Sequence, residues 1–230
     1  MRERASFSQE NMIELKDRFF NSRDRPARRG RKAERGRAGK ERENMGRPSM
    51  SEQRRIEIGR ALQTCMIRNG SYEITSVKDI AQEAGVATSL VHHYFTNKDE
   101  ILSMMADMEL MAIANLMEDV LRIREKEERL ARLHELLADT SQSRFLMMLY
   151  ALSLSMTGIH ELVLAHRSEL AQSLVSRLRR RGREEEEAER IATELVFLLE
   201  SAVLQAAVES SPAVERLLAR SIDQAFPISE

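Results

Sequence analysis

From Ser49 onward, apolar residues recur at helical spacing, with no sustained two-residue alternation of the kind a half-buried strand shows. That pattern confines the chain to an all-α architecture. Aromatic residues, which strands favour, make up only 4% of the 230 residues. Helix starts and stops are equally legible. Ser49-Met-Ser-Glu52 and Ser76-Val-Lys-Asp79 read as capping boxes, and Asn97-Lys-Asp-Glu100 as a further helix cap. Asn69-Gly70, Gly85 and Gly182 read as stops, the last after a basic cluster that suits a helix C-terminus. The signals predict about nine helices and no sheet. One runs from the Ser49 cap to near Asn69, two short ones follow within 76–95, and a long one runs from 97 to about 120. Further helices are expected over 124–138 and 144–156, from Gly158 to about 181, from 184 through about 209, and from 212 to just before Pro227.

Composition removes several classes of function. Cys65 is the single cysteine, and the five histidines are scattered, so no disulfide framework or metal cluster is expected. There is no glycine-rich phosphate loop, no Gly-x-Ser-x-Gly, no His-Glu-x-x-His and no paired cysteine spacing. The expectation is a non-enzyme without cofactor or metal. The most apolar run, Leu195–Val208, is too short for a membrane span and is interrupted by Glu200. The first residues lack the apolar core of a signal peptide, which predicts a cytoplasmic protein.

The overall net charge of −1 hides an asymmetry. Residues 1–48 carry +7, residues 49–102 carry −1 and residues 103–230 carry −7. Between Asn21 and Pro48 the apolar residues are Ala27, Ala33, Ala38 and Met45, set among glycines and arginines. Such a segment cannot offset its own ordering entropy and reads as a disordered basic arm. Arms of this kind follow nucleic-acid backbones or enter minor grooves. Met45 and Met50 are alternative starts, which would make the arm an overlong gene start.

The stretch Ser76–Phe95 carries the chemistry. Val77, Ile80, Ala81 and Ala84 share one face of a short helix. Ala84-Gly85-Val86 then makes a tight turn, with Gly85 free to take a positive φ and Val86 as an apolar plug. In the next helix Val91 and Phe95 point inward, leaving Thr88, Ser89, His92 and His93 on the other face. A compact polar face of that kind suits a helix entering a DNA major groove. Ser76 and Lys98 each stand at a helix start, where phosphates are readily held. Adjacent histidines on a helix cannot face one metal ion, so His92-His93 predicts no metal site.

Residues 55–102 resemble the N-terminal domain of the TetR family of bacterial transcriptional regulators. The residues that carry the resemblance are Ile80-Ala81, Ala84-Gly85-Val86, His92-His93-Tyr94-Phe95, Lys98-Asp99-Glu100 and Leu102. It implies a helix-turn-helix DNA-binding domain over 49–102, with the motif itself at 76–95. Ser76 and Lys98 would contact phosphates. Lys78, Thr88, Ser89, Leu90, His93 and Tyr94 would lie on or beside base edges. His92 stands where the family usually has tyrosine; it can still donate to a phosphate, in a pH-dependent way. The family tends to have glycine where Ser71 stands, and here Gly70 sits one residue early.

The resemblance also implies that residues 103–230 form a helical bundle that dimerises and encloses an effector. Dimerisation would run through about 187–225 and present two recognition helices to a palindromic operator of double-stranded DNA. A small apolar or amphipathic molecule would release a homodimeric repressor. The sequence adds an apolar seam, Ala192, Val196, Leu199, Val203 and Ala206, of the kind that pairs with another helix. Met105, Met108, Phe145, Met148, Tyr150, Met156 and His160 are candidate effector contacts, methionine being an adaptable packer. Ordinary core packing is the alternative for each. His166, on the stripe Ile159, Val163, Leu170 and Leu174, reads as a core or interface histidine. A reading from another class is a helical protein–protein adaptor with a vestigial helix-turn-helix. The near-neutral charge of 49–102 favours it, because nonspecific DNA affinity is largely electrostatic.

Overall fold

The computed structural model describes residues 49–209 and 211–227, with the side chain of Leu136 outside the description. The expected basic arm lies outside the described residues. Contacts gather residues 57–230 into one compact unit. Among the described residues there are nine helices and no strand. They are α1 (Met50–Asn69), α2 (Val77–Glu83), α3 (Thr88–Tyr94), α4 (Lys98–Val120), α5 (Lys126–Ala138), α6 (Thr140–Leu152), α7 (Thr157–Arg180), α8 (Glu185–Ala206) and α9 (Pro212–Ala225).

The caps form as their residues dictate. Ser49 Oγ accepts the Glu52 amide at 3.1 Å, and Glu52 accepts the Ser49 amide at 2.7 Å. The α7–α8 turn closes through Gly182 at φ +87°, with the Arg183 amide donating to Leu178 O. Asp139 overturns one expected boundary. Its side chain accepts the amides of Ser141 and Gln142, so α6 starts at Thr140 rather than at Arg144. The same helix ends at Leu152, short of the expected Met156. Gly158 does not separate two helices; it lies in the first turn of α7, after a break over 153–156.

Within 57–230, α4 joins the head to the bundle, so the expected boundary at residues 102/103 falls inside a continuous helix. Near its start α4 crosses α1 at Gly59. A Cβ there would meet Met105 Cγ at 2.7 Å and Met104 Cε at 2.8 Å, so glycine is what permits the approach. Farther along, α4 packs on α7. Two polar ties hold that contact: His166 Nε2 to Asp107 Oδ1 at 2.7 Å, and Glu118 to Ser173 at 2.6 Å and to Arg177. Asp107 and Glu118 are eleven residues apart, close to three full turns, so both face the same neighbour.

α8 is the central helix of the bundle and packs on α6, α7 and α9. The seam Ala192, Val196, Leu199, Val203 and Ala206 is buried against these helices of its own chain. It therefore does not by itself mark a face for a partner. The same periodicity serves an intrachain or an interchain neighbour, and here the intrachain helices take it.

Glu109 is a further junction. It sits on α4, accepts Gln142 Nε2 of α6 at 2.7 Å and bonds Gln63 of α1. Burial pushes its carboxyl above the ordinary glutamate value. The folded protein therefore holds this proton more tightly than the unfolded chain. Its contribution to stability is present at low pH and is lost as the pH rises through the folded value. Glu109→Gln, which keeps an acceptor for Gln142, is expected to be more stable than the parent at pH 8. Its advantage should shrink toward pH 4.5, the ordinary value. Denaturation midpoints of both proteins across that range would check this; a constant gap would contradict it.

Candidate nucleic-acid interface and effector cavity

The helix-turn-helix is built on two local devices. Ser76 Oγ accepts the Asp79 amide at 3.1 Å, and Asp79 Oδ2 accepts the Ser76 amide at 2.9 Å, closing a capping box on α2. At the other end Gly85 takes φ +65°. Its amide donates to Gln82 O at 3.2 Å, and the Val86 amide reaches back to Ala81 O at 2.9 Å. This six-to-one closure is a Schellman motif, and Val86 packs on the core beside it. Ile80, Ala81, Val91 and Phe95 are buried, while Val77 and Ala84 are half-buried against them.

That burial sets which side of α3 faces outward. Thr88, Ser89, His92 and His93 are exposed, as is Lys78 on α2. Leu90 and Tyr94 are half-buried, and Tyr94 packs on the core while its ring meets His93 edge-on at 5.1 Å. The polar face expected from the sequence is therefore present.

Two expected phosphate seats differ from expectation. The Ser76 hydroxyl donates to Asp79 Oδ2 at 2.7 Å, so the anion position at that helix start is taken by the chain's own carboxylate. The hydroxyl and amide of Ser76 hold the Asp79 carboxyl below its usual range. Lys98 is not a free point charge. Its Nζ donates to Tyr72 O at 2.7 Å and Thr75 O at 2.8 Å and lies 3.9 Å from the centroid of the Tyr72 ring. It clips the loop after α1 to the start of α4, and partial burial lowers its ammonium pKa. Tyr72 completes the clip through a hydrogen bond to Asp99. The residues after Gly70 left this arrangement unsigned, because Lys98 is 26 residues from Tyr72.

In the bundle, a cavity of about 40 Å³ lies between α4, α6, α7 and α8. Leu110, Ile113 and Ala114 line it from α4, and Leu146 and Tyr150 from α6. Val163, His166, Arg167 and Leu170 come from α7, and Val196, Leu199, Glu200 and Val203 from α8. Its polar side is a closed network. Glu200 accepts Arg167 Nε at 2.8 Å, Arg167 Nη2 at 2.7 Å and the Tyr150 hydroxyl at 2.8 Å. Burial and the Glu200 charge push the Tyr150 phenol far above its ordinary value.

Of the seven expected effector contacts, Tyr150 lines this cavity. Met105 is instead buried at the α1–α4 crossing, and Phe145 is fully buried in the core. Met108 and Met148 are half-buried core packing, Met156 stands at the N-cap of α7, and His160 is exposed. The reason is helical phase: these residues sit on the right helices but not on the faces that converge. Arg167 and Glu200 were not among the expected contacts. The signal available for Glu200 was a single charge inside the apolar run Leu195–Val208. Arg167 offered none, being 33 residues away.

Residues 66–105 match the family described as bacterial regulatory proteins, tetR family. The fold of the chain is similar to several solved structures. A candidate TetR-family transcriptional regulator from Mesorhizobium loti aligns at TM-score 0.62 and 20% identity, over 77% of this chain and 97% of that one. A TetR transcription regulator from Haloarcula marismortui aligns at 0.59 and 20%, over 76% and 97%. A candidate transcriptional regulator from Saccharomonospora viridis, solved in complex with choline, aligns at 0.57 and 19%, over 75% and 95%. No curated protein matches the sequence. Among the described residues no single helix is long and apolar enough to cross a membrane. Residues 66–105 thus match the TetR-family model, and the described residues are helical, with the fold of TetR-family transcriptional regulators.

Proposed function

We propose that this protein is a cytoplasmic, homodimeric repressor that binds a palindromic operator and is released by a small-molecule effector. The observation that carries the reading is the exposed polar face of α3, Thr88, Ser89, His92 and His93, held in place by buried Val91 and Phe95. These residues, with Lys78 and the outer edges of Leu90 and Tyr94, are the proposed DNA contacts. Lys98 has one ammonium proton left for a phosphate, whereas Ser76 would have to release Asp79. The basic arm 1–48 would supply the phosphate affinity that the head, at −1, lacks.

Helices α8 and α9 are the proposed dimer surface. Phe197 and Leu217, large apolar side chains on these helices, are 58% and 50% exposed, which supports an apolar face outside the intrachain core. A two-fold dimer presents two copies of α3 to a palindrome. The effector reading is supported by the cavity and by the choline found in the Saccharomonospora viridis neighbour. α4 is the proposed link. It crosses α1 at Met105 and lines the cavity from Leu110 to Ala114, about 14 Å at most along the helix. A ligand that presses on 110–114 would shift the population of head positions and release the operator.

The test is gel retardation of the DNA upstream of the protein's own gene, by the full chain and by a Thr88→Ala/His93→Ala variant. Specific retardation should be lost in the variant with its stability unchanged, since both side chains are exposed. Deleting residues 1–48 should weaken binding and flatten its salt dependence. A folded dimer that selects no sequence from a random pool would instead favour the adaptor, the reading that the near-neutral head supports.

A further inference from the structure

We propose that the bundle cavity admits an uncharged, largely aliphatic molecule bearing at most one hydroxyl group, and rejects organic ions. The inference rests on the effector reading above and narrows its chemistry. The lining is aliphatic from all four helices, and its charged groups are already matched. Glu200 accepts three hydrogen bonds from Arg167 and Tyr150, and Asp107 faces His166 beside the cavity. A cation could reach Glu200 only by displacing Arg167. An anion could take Arg167 away from Glu200 only by leaving that carboxylate unpaired at 14% exposure. The first exchange trades an existing two-bond pair for a weaker contact, and the second strands Glu200 in an apolar space. A quaternary ammonium ion finds no cage either, because Tyr150 is the one aromatic residue in the lining. A hydroxyl, by contrast, asks only for a hydrogen bond, and the Tyr150 oxygen, whose proton goes to Glu200, keeps a lone pair to accept one.

Size decides what binding does. About 40 Å³ accommodates little more than water, so an eight-carbon chain must part the helices to enter. Leu110, Ile113 and Ala114 form the α4 wall, so part of that displacement falls on the helix that carries the head. The ligand acts as a wedge.

The experiment uses three probes of one chain length, 1-octanol, octanoate and octyltrimethylammonium, titrated into the full chain below their micellar concentrations. Calorimetry should show octanol binding at least tenfold more tightly than either ion. Ala114→Leu, which fills the cavity, should abolish that binding. Glu200→Gln unpairs Arg167 and should raise octanoate affinity at least tenfold relative to octanol. No octanol binding, equal or tighter binding of either ion, or an unchanged order in Glu200→Gln would each overturn the proposal. Because these comparisons include the unmodified chain, a variant that fails to fold does not rescue it. Gel retardation on the same samples tests the regulator reading separately. Specific DNA binding without octanol binding would overturn the effector chemistry alone.

Discussion

Phe95→Ala is expected to lower the stability of the chain by about 3–5 kcal/mol and to abolish specific DNA binding. Phe95 is 2% exposed and is among the largest fully buried side chains, at the C-cap of α3 in extended backbone. Nothing in the head can collapse into the space its ring would vacate without moving α3, because Val91 and Ile80 are themselves fully packed. Removing the ring therefore loses its transfer free energy and leaves a cavity under the recognition face. Chemical denaturation followed by circular dichroism reads the first effect, and retardation of a specific DNA fragment reads the second. The comparison with Thr88→Ala/His93→Ala is informative. That variant should lose DNA binding at unchanged stability, whereas Phe95→Ala should lose both. A stability loss below about 1 kcal/mol would mean that Phe95 does not hold α3 in place.

Asp223→Ala should cost about 3 kcal/mol, at the lower end of the range for breaking a buried ion pair. Arg129 of α5 is 3% exposed and its guanidinium is paired with Asp223 of α9, while its second nitrogen donates to Ile123 O at 2.9 Å. Without Asp223 a full charge stays buried with one carbonyl for company. Asp223 itself is 27% exposed, so water can soften the loss, which is why the lower end applies. The double variant Arg129→Met/Asp223→Ala should recover most of the stability, because the apolar replacement leaves no orphaned charge. A double-mutant cycle on denaturation midpoints separates these terms; a double variant as unstable as Asp223→Ala alone would refute the argument. The same pair docks α9 on α5, with His134 and the buried Glu215 at 3.0 Å as a second tie. If α9 belongs to the dimer surface, Asp223→Ala should also raise the dimer dissociation constant, which sedimentation would show.

The helix-turn-helix was legible because its determinants are local. Ser76 and Asp79 are three residues apart, Gly85 stands at the turn it makes, and Val91 and Phe95 share a face by helical phase alone. Each is decided by backbone geometry within a turn or two, so the residues themselves suffice. The start of α6 was missed although its cause is also local, since Asp139 and Thr140 look like any polar linker until the chain turns there. Apart from Tyr150, the lining of the cavity was not legible, for a different reason. Methionines at plausible helical positions do not reveal which face meets which neighbour, and Met105 turned toward Gly59 rather than toward the cavity.

The sequence by itself determined the helical character of the described residues, the caps and turn of the helix-turn-helix, and the polar face of α3, because these follow from short-range periodicity and hydrogen bonding. The tertiary structure alone decided that Lys98 clips a loop rather than standing free, that the α8 seam faces its own core, and that Arg167, Tyr150 and Glu200 close one side of a cavity. The hydrogen bonds among them join residues 23 to 50 apart. Their meeting is set by how whole helices cross, a choice governed by the summed packing of many side chains rather than by any residue's own preference.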